Sequence, residues 1–168
     1  MAQLQWTDAL ALDFPVMDDT HREFVQLLAM VDTAGDGMLP ASWRALVDHT
    51  NDHFGREDRW MQATGFSSAN CHSVQHKVVL QAMREGLADG EAGNLGVIRQ
   101  MASELAVWFA QHAQSMDAAL ALHLRSAGFD PLTGTVAKPG ALPTRTIQGC
   151  GSAGCSGSDV HQTTADAA

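Results

Sequence analysis

Three spacings constrain this chain more than anything in its composition: His53-x-x-x-Glu57, His72-x-x-x-His76 and His112-x-x-x-x-Asp117. In a helix, residues i and i+4 lie one above the other on the same face. His53 and Glu57 can therefore aim at one point, and so can His72 and His76. Asp117 lies five residues after His112, about 140° round a regular helix, and needs another approach to the same centre. Imidazole and carboxylate are both metal-ligating groups.

The apolar pattern around these residues reads as four helices. The first follows Pro15, with Asp18 or Asp19 as N-cap, and carries Val16, Met17, His21, Phe24, Val25 and Leu28 on one face. It stops near Gly35 and Gly37. The second runs from about Pro40 to Thr64, with Leu46, His49, Thr50, His53, Glu57, Trp60 and Met61 inward and Gly65 at its end. The third starts after Ser67 or Ser68 and aligns His72, His76, Val79, Leu80, Met83 and Leu87. A loop is expected at Asp89 to Asn94. The fourth continues to Ala127, with Gly128 as its stop. No segment sustains period-2 alternation. Helices of this length joined by short loops pack most simply as an all-α, antiparallel up-down four-helix bundle.

The expected bundle spans residues 1–130. From 131 to 168 the chain is rich in Gly, Ser, Thr, Ala and Pro, which predicts a disordered C-terminal tail. The tail contains Cys150 and Cys155, a CxxxxC pair that could form a redox-sensitive disulfide or bind a metal, although a solvated tail without a role is the simpler reading. Residues 1–130 carry 8 Lys or Arg and 17 Asp or Glu, which accounts for the whole net charge of −9. An acidic surface argues against nucleic acid or an anionic membrane as partner. The first residues lack the basic and apolar regions of a signal peptide, and no apolar run approaches the roughly 18 residues that span a bilayer. A cytoplasmic location is expected.

Eight histidines occur, and five of them, His21, His53, His72, His76 and His112, fall on inner faces near mid-helix. A lone histidine is ordinarily a surface or hydrogen-bonded core residue. A set of five with Glu57 and Asp117 is different, because each unsatisfied buried group costs several kcal/mol. Seven such groups exceed one tetrahedral zinc and suit two metal ions bridged by the two carboxylates. The donor types also suit zinc or manganese, so the pattern alone leaves the metal open. His49 reads as an outer or bundle-end residue. His123 is about 16 Å along the axis from His112, too far to share the site, and His161 is in the tail.

These motifs, in this order, resemble the hemerythrin family in its single-domain bacterial form. The resemblance runs from Trp6 to Ala127 and includes Asp18-x-x-His21 and the fifteen-residue gap from Glu57 to His72. It implies two irons with an oxo or hydroxo bridge. One would take His72, His76 and His112, the other His21 and His53, with Glu57 and Asp117 bridging. The second iron would be one ligand short and would bind dioxygen reversibly, making the chain an oxygen carrier, store or local supply and not an enzyme. Phe24, Phe54, Met61, Trp108 and Phe109 would line the dry pocket this needs. Ordinary core packing accounts for each of them equally well. A sensor signalling through a protein partner, or a diiron reductase of peroxide or nitric oxide fed by an electron donor, are the other functions such a centre allows. Ser115 would touch bound oxygen if it faced the open iron. The family often places a tyrosine after the HxxxE motif. This chain has Phe66 there, and no tyrosine anywhere. Asp58, about 100° round the helix from Glu57, is expected to take no part.

Overall fold

The computed structural model describes residues 4–66 and 71–145. Helix α1 spans Pro15–Thr33, α2 Leu39–Ala63, α3 Cys71–Glu91 and α4 Leu95–His112. A π turn, Ala113–Asp117, joins α4 to α5, Ala118–Ala127, so that the fourth rod is one helix with a widened turn in its middle. Helix α1 packs on α2, α2 on α3 and α3 on α4, and α4 closes the ring against α1. This is the expected four-helix bundle. Among the described residues the only β-pairing is an isolated bridge between Phe129 and Val136. No described helix is long and apolar enough to cross a membrane.

Several helix ends differ from the sequence expectation. Helix α1 begins at Pro15, whose missing N–H is no loss in a first turn. Its N-cap is Phe14, not Asp18 or Asp19. Asp18 lies one turn inside, where its carboxylate accepts the Leu12 backbone N–H at 2.7 Å and pins the preceding segment. The expected caps Ser67 and Ser68 lie outside the described residues. Helix α3 runs on to Glu91, past the start of the expected loop. Gly86 and Gly90, without side chains, let α4 approach so closely there that Met101 and Ile98 fill the space a Cβ would take. Gly128 stops the fourth rod as expected, in the left-handed conformation at φ 62°, with Phe129 N–H donating back to Leu124 O at 2.9 Å.

The core is two apolar clusters with a polar band between them. One holds Phe24, Leu28, Trp43, Leu46, Ile98, Leu105 and Phe109, with Trp43 Nε1–H donating to Met83 O at 2.9 Å. Trp6 packs against this cluster and carries the Arg22 guanidinium 4.6 Å above its ring. The other cluster holds Phe14, Met17, Trp60, Met61, Phe66, Leu120, Leu124 and Phe129. Along three of the four rods a histidine falls between members of the two clusters: His21 between Met17 and Phe24, His53 between Leu46 and Trp60, His112 between Phe109 and Leu120.

Part of the expected tail, residues 131–145, is tied to the bundle, though most of its side chains are exposed. Ala137 N–H donates to Gly128 O and Lys138 N–H to Ala127 O, both at 3.0 Å, and Val136 packs inward. Pro143 sits on Gly65. The cysteine pair Cys150 and Cys155, and His161, fall outside the described residues.

Two glycines in helices should respond oppositely to alanine. At Gly55 a Cβ meets only the Arg59 guanidinium at 3.4 Å. Gly55→Ala is expected to raise stability by about 0.5–1 kcal/mol through lost chain entropy. At Gly90 a Cβ collides with the fully buried Ile98, and Gly90→Ala is expected to cost about 1–3 kcal/mol. Urea unfolding of the two variants measures both. Equal shifts of the same sign would contradict this packing.

Candidate metal centre

The polar band brings together all seven side chains singled out in the sequence, six by spacing and His21 by its helix face, from four helices and the π turn. None is more than 3% exposed. Their ligating atoms form two groups, each with its atoms within 4.8 Å of one another: His72, His76, His112, Glu57 and Asp117 in one, His21, His53, Glu57 and Asp117 in the other. The carboxylates belong to both groups because each divides its oxygens. Glu57 Oε1 lies 3.0 Å from His53 Nε2, while Oε2 lies 3.4 Å from both His72 Nε2 and His76 Nε2. Asp117 Oδ2 lies 3.2 Å from His21 Nε2, while Oδ1 lies 3.0 Å from His72 Nε2 and 3.1 Å from His112 Nε2.

The i, i+4 pairs arrive on one face through ordinary helix geometry. Asp117 arrives through the π turn. Its extra residue turns a side chain five positions on back toward the face of His112. A regular helix here would turn the carboxylate about 140° away from the face of His112.

The distances are those of ion pairs, but many of the angles are not those of hydrogen bonds. His21 Nε2, His72 Nε2, Glu57 Oε2 and both Asp117 oxygens have no aligned partner, though all are buried. His76 Nε2 faces His112 Nε2 at 3.2 Å, nitrogen to nitrogen. Lone pairs that converge on shared points instead of on one another fit cations placed between them, and buried groups so left are otherwise costly. The donor set, five imidazoles and two carboxylates, therefore fits a pair of metal ions.

The outer nitrogens are treated unequally. Asp58 Oδ1 accepts from His76 Nδ1 at 3.1 Å, and Gln75 Oε1 from His112 Nδ1 at 3.3 Å. Asp58 is thus no bystander. It is turned away from the centre but reaches across to α3. Neither residue stands out by spacing. The available signal was the rule that a ligating histidine hands its second N–H to an acceptor, applied to residues beside the ligands.

Aromatic rings close the band. Phe54 stacks on His76 at 4.0 Å between centroids, and Trp108 on His112 at 4.4 Å. Phe109 meets His21 edge-on at 5.2 Å and is backed by Phe24 at 4.1 Å. Met61 is fully buried in the second cluster. Phe66 is buried there too and lies 5.0 Å from the His123 ring. Ser115 does not face the centre: it is exposed, and its hydroxyl donates to Gln111 O at 2.6 Å. His49 stays outside both groups and pairs with Thr20 O at 3.2 Å. His123 pairs with Thr64 O at 3.0 Å.

Without metal, protons must supply the missing positive charge. Burial lowers the His72 pKa, but the adjacent Asp117 and Glu57 carboxylates outweigh it and push it from 6.5 up to about 10. Burial alone would raise both carboxyls. For Glu57 the Asp117 charge adds to that rise, yet contacts with His53 and His72 hold it well below the ordinary range. Contacts with His112, His21 and His72 hold Asp117 low in the same way. Burial lowers the His53 imidazole despite Glu57.

Among known families, the Hemerythrin HHE cation binding domain matches residues 13–122. The bacteriohemerythrin of Ralstonia nicotianae is 34% identical over 130 residues, covering 77% of this chain and 95% of that protein. The bacteriohemerythrin of Pseudomonas aeruginosa is 27% identical over 122 residues, 70% and 79% of the two chains. The myohemerythrin of Sipunculus nudus is 24% identical over 112 residues, 67% and 86% of the two. No solved structure matches.

The protonation pattern has a pH signature. The His72 pKa is raised on folding, so its stabilising contribution to the metal-free chain is complete below about pH 6.5 and lost as pH rises to about 10. A metal replaces that proton. Metal-free protein is expected to lose thermal stability steadily from pH 6.5 to 10, and metal-loaded protein to lose little. Loading at about pH 7.5 in weak buffer should release protons. Parallel stability profiles with and without metal would contradict this.

Proposed function

The chain belongs to the hemerythrin family, and on that premise we propose that it holds two iron ions in the buried band and binds dioxygen reversibly, as a carrier, store or local supply. The observation that carries the reading is the division of each carboxylate, one oxygen of Glu57 and of Asp117 to each histidine group. His72, His76 and His112 would hold one iron, His21 and His53 the other, with Glu57 and Asp117 spanning the pair. An iron pair held there, with an oxo or hydroxo bridge, would supply reversible two-electron chemistry toward dioxygen.

This chain's own residues would do the rest. His21 and His53 offer one imidazole fewer than the opposite group, so an incoming ligand finds its place on their side. The rings facing His21 are Phe109 and, behind it, Phe24. They exclude water and have no proton to give, which favours release of dioxygen unchanged over its reduction and supports a binding role over an enzymatic one. Ser115 is turned to solvent and adds no hydroxyl to the centre.

Two measurements test the reading. Anaerobically reduced, iron-loaded protein is expected to gain a visible absorption band in air and lose it under vacuum over repeated cycles. Bleaching after one exposure would contradict reversible binding. Glu57→Gln keeps the side chain's size and removes its charge. Breaking a buried charge set costs about 3–5 kcal/mol, so this variant should hold fewer than two irons and melt well below the parent when loaded. Asp52→Asn, on the exposed side of α2, should change neither. Identical behaviour of the two variants would rule out a spanning role for Glu57.

A further inference from the structure

The outer contacts of the histidines form a chain that runs across three helices and then stops. Asp58 on α2 accepts from His76 Nδ1 on α3, and Gln75 on α3 accepts from His112 Nδ1 on α4. The same two rings are also covered face-on, His76 by Phe54 at 4.0 Å and 4° between planes, His112 by Trp108 at 4.4 Å and 24°. Each is therefore fixed in both tilt and tautomer. His21 and His53 receive neither support. Their Nδ1 atoms are buried without a hydrogen-bond partner, and their ring neighbours meet them tilted or edge-on. His72 Nδ1 is likewise without a partner.

An acceptor on the far nitrogen fixes which nitrogen carries the proton and makes the near one a stronger donor to metal. A carboxylate does so more strongly than a neutral amide, because the hydrogen bond is charge-assisted. Both supports lie on the three-histidine group, which already has the larger number of donors. We propose that Asp58 and Gln75 are positioning residues that make the two halves of the centre unequal, so that the metal held by His21 and His53 leaves first and the metal held by His72, His76 and His112 is retained. This rests on the two-metal reading above. It adds the order of loss and the residues that set it.

The experiment uses the full chain loaded with ferrous iron and follows transfer to a ferrous chelator without oxygen. The parent should start with two irons and release them in two phases, one iron in each. X-ray absorption on the protein left after the fast phase should count three imidazoles on the remaining iron. Loss of an outer partner typically weakens metal affinity by about 10–100-fold. Asp58→Leu removes the acceptor and should therefore speed the slow phase by roughly tenfold or more and leave the fast phase within about twofold. Gln75→Leu should act on the same phase, more weakly. A merely structural role for Asp58 would move both phases together, and that result overturns the proposal. So does release of two irons in a single phase by the parent. A parent that binds fewer than two irons overturns the two-metal reading and this proposal with it.

Discussion

Two carboxylates with no exposure to water, Glu57 and Asp117, sit at the centre of the bundle and share His72 as a neighbour. Two negative charges so buried cannot stand alone: the cost of keeping them from water is several kcal/mol each even after the structure relaxes. The rest of the site is arranged around their neutralisation. Five imidazoles from four helices turn Nε2 toward them. In the metal-free chain some of those imidazoles carry protons, and His72 holds its own far above the usual pH. Cations would replace the protons and give the unaligned lone pairs partners.

Such a band destabilises a bundle unless apolar packing surrounds it. Here two clusters do so, one around Trp43 and Phe109, the other around Trp60 and Leu124. The close approach of α3 and α4 at Gly86 and Gly90 tightens the first. The second is capped by the segment that returns after Gly128. The polar band thus joins two dry cores, and the rings that seal it, Phe54, Trp108 and Phe109, are at once core residues and the walls of the site. Because of that dual role, core packing and pocket lining are compatible roles for these residues.

Regular helix geometry makes part of the site legible in the sequence. His53 and Glu57, and His72 and His76, are readable because a spacing of four places two side chains on one face. Asp117 is not readable that way, since its convergence depends on a π turn that no spacing rule for α-helices contains. The spacing of five marks it as a candidate but not the turn that delivers it. Helix ends are less legible. Pro15 opens the first helix while Asp18 is taken up by a tertiary bond to Leu12, and Gly90 lies inside α3 as the place where Ile98 packs, not as a loop residue. Asp58 escapes a reading by angle because its position on its own helix says nothing of a reach to the next one. Residues 131–145 look like tail by composition, yet a few anchors, Phe129, Val136 and Pro143, lay them on the bundle.

The central claim is that Glu57 and Asp117 span two metal ions. A crystal structure of iron-loaded protein, with anomalous diffraction collected at the iron edge, measures this directly. The account expects two peaks in the polar band, one among His72, His76 and His112 and one beside His21 and His53, each within bonding distance of one oxygen from both carboxylates. A single peak, or two peaks that do not share Glu57 and Asp117, would contradict it.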